Sequence, residues 1–334
     1  MEWPDSGRKY FTMNIDDEFI AGLFDKDRVT VAKAISIVEA GGDAAHRLLD
    51  SIHPRTGRAY RVGVTGPPGA GKSTLTGELT RVLRQVGHSV AIIAVDPTSP
   101  FTSGALLGDR VRMADLDNDE DVFIRSMATR GSGGGLSANT ADVADIFDAA
   151  GFDYIFIESA GVGQTELDVR HLVDTTVVVL APEAGDQVQA AKAGLMEIAD
   201  IFVMNKCDRP GSSTAMQSLQ SALSFRNQNR ERWQARVIET VASESRGTAE
   251  LVEEIMRHKA CLQTNKKHGE LLHKRAERRL RGSIRYAVDS QVWSAENEQC
   301  LTHALPQILA GKLAMAEVVA QICSNITAPG KGDE

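Results

Sequence analysis

The stretch Gly66-Pro67-Pro68-Gly69-Ala70-Gly71-Lys72-Ser73 constrains this chain more than any other. It fits the phosphate-loop pattern G-x-x-x-x-G-K-[ST], and its neighbours supply the context that pattern needs. Tyr60 to Thr65 reads as a short buried strand. Ser73 to Val86 then places Leu75, Leu79, Val82, Leu83 and Val86 at helical spacing. Glycines let the backbone wrap a phosphate with its N–H groups, and the helix N-terminus adds partial positive charge. The expected nucleotide contacts are Pro68, Gly69, Ala70, Gly71, Lys72, Ser73 and Thr74. Lys72 would bring a full charge to the β- and γ-phosphates, and Ser73 a hydroxyl to Mg²⁺. The chain is therefore expected to bind a nucleoside triphosphate.

With 334 residues, the chain can bury one large α/β core and still carry helical appendages. Its net charge of −8 argues against a partner bound by neutralising nucleic-acid phosphates. The four cysteines, Cys207, Cys261, Cys300 and Cys323, are widely spaced with no C-x-x-C pair, as expected of reduced thiols. Met1 to Asn14 is polar without an apolar signal core, and runs such as Val177 to Ala181 are too short to span a bilayer. A cytoplasmic protein that binds neither nucleic acid nor membrane is expected.

Along the chain, Asp16 to Ala40 reads as helical up to Gly41-Gly42, Ala44 to Ile52 as further helix, and Pro54 to Gly57 as a turn. Ser89 to Val95 is a continuous apolar run, the mark of a strand buried on both faces. It ends in Asp96, a carboxylate on the sheet edge where ligands bind, and the following loop carries Asp109. Both acids are candidates for the Mg²⁺ shell, with a turn or cap role the alternative for Asp96. Val122 to Ile124 is a strand, the run Arg130 to Gly135 is assigned no chemistry, and Ser137 to Ala149 reads as helix. Tyr154 to Ile157 is a buried strand ending in Glu158-Ser159-Ala160-Gly161, a D-x-x-G-like element with glutamate in the acid position. Glu158 would reach Mg²⁺ through water, and the Gly161 N–H would sense the γ-phosphate. Gln164 stands too far beyond Gly161 to be given a water-orienting role.

Thr176 to Leu180 is a further strand, followed by a polar loop from Ala181 to Gln187 and a helix from Val188 to Ile198. Ile201 to Met204 leads into Asn205-Lys206-Cys207-Asp208, an N-K-x-D element. The Asp208 carboxylate can accept from guanine N1 and N2, and adenine has no such pair of donors. Asn205 either contacts the N7/O6 edge or ties its loop to the phosphate loop. The stem of Lys206 lies along the purine face. Pro210 to Arg236 reads as largely helical and Val237 to Val241 as the last strand; Ala242-Ser243 falls where a backbone turn facing guanine O6 is expected. Helices follow over Gly247 to His258, Ser294 to Leu309 and Lys312 to Ile322, with a disordered tail from Thr327. The basic stretch Lys266 to Arg281 reads as a solvated helix face.

The chain resembles the MeaB/ArgK group of G-proteins, chaperones of adenosylcobalamin-dependent acyl-CoA mutases. The resemblance lies in Gly63 to Thr74, Val95 to Phe101, Glu158 to Glu166, Gly185 to Gln189, Met196 to Asp200 and Asn205 to Asp208. One departure is Glu158-Ser159-Ala160-Gly161, where many relatives have E-T-V-G. It implies an α/β P-loop NTPase fold with a mostly parallel central sheet flanked by helices. An N-terminal helical extension (1–57), a G domain (58–262) and a C-terminal helical dimerisation arm (263–334) are expected. It further implies slow GTP hydrolysis, faster on the mutase, and gated loading and protection of the mutase. A third switch falls on the loop from Pro182, with Asp186, Gln189 and Lys192 as signalling candidates and Lys192 a candidate catalytic group. No D-x-H-x-x-G pattern occurs, so any cobalamin is expected on the partner rather than on this chain. Three other classes fit less well. A nickel-insertion GTPase wants clustered Cys and His, a small-molecule kinase has no need of N-K-x-D, and a scaffold has no need of acids beside a phosphate loop.

Overall fold

The computed structural model describes residues 15–96, 115–128, 138–159, 161, 168–182, 194–226, 233–264 and 267–327. The chain divides into two compact units, Met1–Gly269 and Glu270–Glu334.

The larger unit is built on a seven-stranded sheet: β1 (Tyr60–Thr65), β2 (Val90–Asp96), β3 (Val122–Ala128), β4 (Tyr154–Glu158), β5 (Thr175–Leu180), β6 (Ile201–Met204) and β7 (Arg236–Glu239). Its order is β3-β2-β4-β1-β5-β6-β7, and every pairing is parallel. Every residue of β1, β4, β5 and β6 is buried, which is why these strands are mostly apolar on both faces rather than alternating, with Arg61, Thr65, Glu158, Thr175 and Thr176 the buried polar residues among them. Strand β1 is central. After it the chain crosses β4 to reach β2, and later returns to β1's other side as β5. The strand order thus reverses at the carboxyl end of β1, where α/β sheets open a crevice for ligands.

Helices α1 (Asp17–Phe24), α2 (Arg28–Ala40) and α3 (Gly42–Ile52) belong to this unit. The sequence reads as one helical run from Asp16 to Ala40, but the structure breaks it between α1 and α2. Lys26 takes a left-handed φ of 59°, and Asp27 starts α2 by accepting from Thr30 N at 2.8 Å. Leu23, Val31, Ile35, Leu48 and Ile52 share one core with α5 (Ala138–Ala150) and with Ala91, Ile93, Ile155 and Ile157 of the sheet. Helix α4 (Lys72–Gln85) follows the phosphate loop, and α6 (Ser212–Arg226) and α7 (Thr248–Thr264) come after β6 and β7. Within the stretch predicted as largely helical from Pro210, α6 is described over Ser212–Arg226 and residues 227–232 lie outside the described residues; β7 begins at Arg236, one residue earlier than the apolar run suggests.

One carboxylate fixes how the chain enters β1. Asp148 of α5 accepts from the backbone N–H of Gly57, Arg58 and Ala59 at 2.8, 2.9 and 2.9 Å. It also accepts from Arg61 Nη2 at 2.9 Å, and the same nitrogen donates to Asp145 at 2.7 Å. The Arg61 and Asp148 side chains are 6% and 1% exposed, so neither charge is tolerable without the other.

A second buried network lies at the amino-terminal edge of the sheet. Tyr60 OH and Thr175 Oγ1 are 2.6 Å apart, and Thr175 Oγ1 lies 2.8 Å from Nδ1 of His258 on α7. The His258 ring packs against Trp233 and has Nε2 3.8 Å from Asp200 Oδ1.

The smaller unit holds most of α8 (Lys267–Val292), with α9 (Ala295–Leu309) and α10 (Met315–Thr327). Its core is thin: Ala304, Val318 and Ile322 are buried, flanked by Val292, Cys300, Ile308 and Leu313. Asn297 braces the α8–α9 corner by donating to Val292 O at 2.9 Å and accepting from Asn325 Nδ2 at 2.7 Å. Leu280, Ile284 and Val288 follow at helical spacing along α8 and are 61%, 55% and 51% exposed. No helix among the described residues is long and apolar enough to cross a membrane.

Candidate nucleotide site

The phosphate loop leaves β1 at Thr65 and closes at Lys72, the first residue of α4. Its glycines are forced by their neighbours. Gly66 has φ 135°, and a Cβ there would lie 2.0 Å from Val179 O. Gly71 has φ 94°, and a Cβ would lie 2.3 Å from Asn205 Nδ2. No side chain fits either place. Lys72 is buried, and its Nζ donates to Gly66 O at 3.0 Å and Pro67 O at 3.2 Å, so the ammonium lies within the curl of the loop. Pro68 and Gly69 are exposed at its crest, and Thr74 is half-buried behind it.

Strand β4 delivers the acid. Glu158 ends that strand in register with Val64 of β1, and its Oε1 accepts from Ser73 Oγ at 2.7 Å. Both side chains are buried. Ser159 continues along β1, its N–H donating to Val64 O at 3.0 Å and its hydroxyl to Thr65 Oγ1 at 2.8 Å. That path brings Gly161, at φ 77°, onto the loop. A Cβ there would lie 2.5 Å from both Gly66 O and Lys72 Nζ. Lys72, Ser73, Glu158 and Gly161 thus converge, although Glu158 lies 85 residues from Ser73 along the chain. Asp96 ends β2 at the same sheet edge, two residues beyond Ala94, which pairs with Glu158. Asp109, Gln164, Asp186, Gln189 and Lys192 lie outside the described residues, as do the Arg130 to Gly135 run and the tail beyond 327.

The other wall comes from β6 and β7. Asn205 follows β6 and is 2% exposed. Its Nδ2 donates to Ala70 O at 2.8 Å, while its Oδ1 accepts from Thr240 Oγ1 at 3.0 Å and Ala242 N at 3.1 Å. Of the two roles open to Asn205 in the sequence, the structure displays the tie to the phosphate loop. Lys206 holds a left-handed φ of 58°, which turns the chain sharply away from the strand, and Asp208 then stands exposed. Cys207 donates to Met204 O at 3.0 Å, and burial pushes its thiol up, away from reactivity. Ala242 is buried beside Asn205, and Ser243 is exposed next to it. Thr240 went unnoticed in the sequence. Its signal was its place, directly after β7 and two residues before Ala242.

The family profile described as "Methylmalonyl Co-A mutase-associated GTPase MeaB" matches residues 31–297. A protein named as a GTPase in Pyrococcus horikoshii is 48% identical over 284 residues, 84% of this chain and 90% of that protein. The GTPase ArgK of Escherichia coli is 39% identical over 252 residues, 73% of this chain and 76% of that protein. Among solved structures, one described as an LAO/AO transport system kinase superposes with a TM-score of 0.69 at 28% identity, covering 95% of this chain and 100% of that one.

Proposed function

This chain belongs to the family of methylmalonyl-CoA mutase-associated GTPases, and from that premise we propose that its GTP hydrolysis gates adenosylcobalamin loading onto an acyl-CoA mutase and protects or restores that enzyme. The observation that carries the site reading is the convergence of Lys72, Ser73, Glu158 and Gly161 with the Asn205 tie.

Each group has a separate task. Lys72 spreads charge away from the β- and γ-phosphates, and the Gly161 N–H is the proposed γ-phosphate contact. Ser73 offers a hydroxyl that would hold Mg²⁺ directly and Glu158 a carboxylate that would reach it through water, both hard oxygen groups of the kind this cation prefers. Asp96 and Asp109 are the further acids proposed for that shell. When bound, Mg²⁺ neutralises charge on the phosphoryl oxygens. Asp208 accepts from guanine N1 and N2, Lys206 lies along the purine, and the Ala242–Ser243 backbone faces O6. Asn205 keeps these two loops at a fixed distance from the phosphate loop.

Partner control is assigned to the loop running from Pro182 to Lys192, with Asp186, Gln189 and Lys192 as its signalling groups. A mutase can change turnover only by preferring one arrangement of that loop over another. The apolar stripe Leu280, Ile284 and Val288 is the proposed homodimer face, cobalamin is held by the mutase, and the cytoplasm is the proposed location. The test is the GTPase rate with and without acyl-CoA mutases acting on methylmalonyl-, isobutyryl-, hydroxyisobutyryl- or ethylmalonyl-CoA. Stimulation by one of them is expected. Unchanged turnover with all of them sinks the chaperone reading and leaves the GTPase intact.

A further inference from the structure

The turn Ala242–Glu244 is gripped at both ends. On one side Asn205 Oδ1 accepts from Ala242 N and Thr240 Oγ1. On the other, Ser245 Oγ donates to Glu78 Oε2 on the outer face of α4. Between these grips the turn is a closed ring. Val241 N donates to Arg246 O at 3.0 Å, Arg246 N returns to Val241 O at 3.2 Å, and Ser245 N reaches Ala242 O at 3.3 Å. Ser245 closes the ring in a left-handed conformation, φ 55°. A ring held at one side retains freedom to pivot about that side; a second hold removes it.

Glu78 is itself held. Its Oε1 accepts from Arg81 Nη1, and Arg81 is fixed by Nε and Nη2 bonds to Asp115 Oδ2 at 3.1 and 2.6 Å. The Glu78 side chain is 14% exposed against 61% for Asp115, so Glu78 is the shielded member of the chain. Glu78 also shares α4 with Lys72 and Ser73, so one rigid helix locates the phosphate contacts and the far end of the base loop.

We propose that Glu78 is a positioning residue for base specificity: through Ser245 it sets the height at which the Ala242–Ser243 backbone meets the purine 6-position. This rests on the reading of Ala242–Ser243 as the turn facing guanine O6. Glu78 bonds to Arg81 and Ser245 rather than to Lys72, Ser73 or Glu158, so its loss acts on discrimination at the 6-position. Recognition at the 2-position through Asp208 comes from a different loop, which Glu78 and Ser245 do not touch.

The experiment measures kcat and KM for GTP, ITP and 6-thioguanosine triphosphate with the full-length wild type and with Glu78→Ala and Ser245→Gly. ITP lacks the 2-amino group; the thio analogue replaces O6 by a weaker acceptor. Ser245→Gly removes the hydroxyl while keeping the left-handed backbone free of strain. For both variants the preference in kcat/KM for GTP over the thio analogue falls about three- to tenfold, as expected for losing one well-aimed hydrogen bond. The GTP-to-ITP ratio and kcat for GTP stay within about twofold. Equal falls in both ratios, or a fall in kcat alone, indicate general loosening and overturn the inference. So does an unchanged thio ratio in variants of a wild type that discriminates. A wild type that treats GTP and the thio analogue alike overturns the base-loop reading itself, and this inference with it.

Discussion

Asn205 donates its side-chain amide to the carbonyl of Ala70 across 135 residues of sequence, at 2.8 Å in a buried setting. The same amide's oxygen collects Thr240 and Ala242. Asn205→Ala strands a buried carbonyl, a hydroxyl and a backbone N–H together, each costing about 1–3 kcal/mol where water cannot replace the partner. Calorimetric titration should show GTP and GDP affinity both reduced by about tenfold or more, and the melting temperature lowered. Affinity for one nucleotide alone changing would place Asn205 on the phosphate rather than between the loops.

Glu158→Gln keeps the shape beside Ser73 but removes the charge that suits a divalent cation. GTP turnover should fall by about tenfold or more, and the Mg²⁺ concentration for half-maximal rate should rise. GDP binding in the absence of Mg²⁺ should change little. A Mg²⁺ titration superimposable on the wild type would remove Glu158 from the cation's surroundings.

Asp208→Asn replaces an acceptor by a group that presents a donor to guanine N1 and N2. The preference for GTP over ATP should collapse by about a hundredfold. Competition of ATP against a labelled guanine nucleotide measures it, and an undiminished preference would assign base choice elsewhere.

Burial holds the imidazole of His258 below the usual histidine range, against the opposing pull of Asp200 and Asp174. The groups around it are Thr175, Tyr60 and Asp200 from the strands' ends, Trp233, and Glu254 and Arg257 on its own helix. A base with a depressed folded pKa favours the neutral form. Its stabilisation is therefore complete above the unfolded value of about 6.5 and is lost as pH falls toward the lower folded value. Melting temperature should drop as pH falls below about 6.5. His258→Gln should be less stable at pH 7.5 and show a flatter slope across that window; a parallel slope would move the effect to other groups.

Asp148→Ala leaves the Arg61 guanidinium buried beside Asp145 alone and frees the N–H groups of Gly57, Arg58 and Ala59. Loss of about 3–5 kcal/mol is expected, read by denaturant unfolding. Asp148→Asn should recover part of it by accepting one of those bonds.

The phosphate loop, Glu158, Gly161 and Asn205 were legible because each stands at the end of an apolar strand, and a parallel sheet gathers strand ends on one edge. The helical extension was legible as helix packed on the main domain, but the residues it packs against were not. Leu23, Ile35 and Leu48 share a cluster with Phe147, a pairing across a hundred residues that no local periodicity records. The break at Lys26 falls in the charged run Asp25 to Arg28 between two apolar clusters, and the cap by Asp27 marks where the second helix starts. Thr240, Glu78 and Ser245 were missed for a related reason. They are ordinary polar residues whose partners lie on other elements.

The backbone of Gly66 presses on that of β5 at Val179, with no side chain between them. Its glycine is thus demanded by the architecture before any nucleotide arrives. A descendant of this chain that abandoned catalysis, and could discard Lys72 or Glu158 without harm, would still be held to glycine at 66. There the persistence of the motif's first letter would record the closeness of two strands rather than a surviving enzyme.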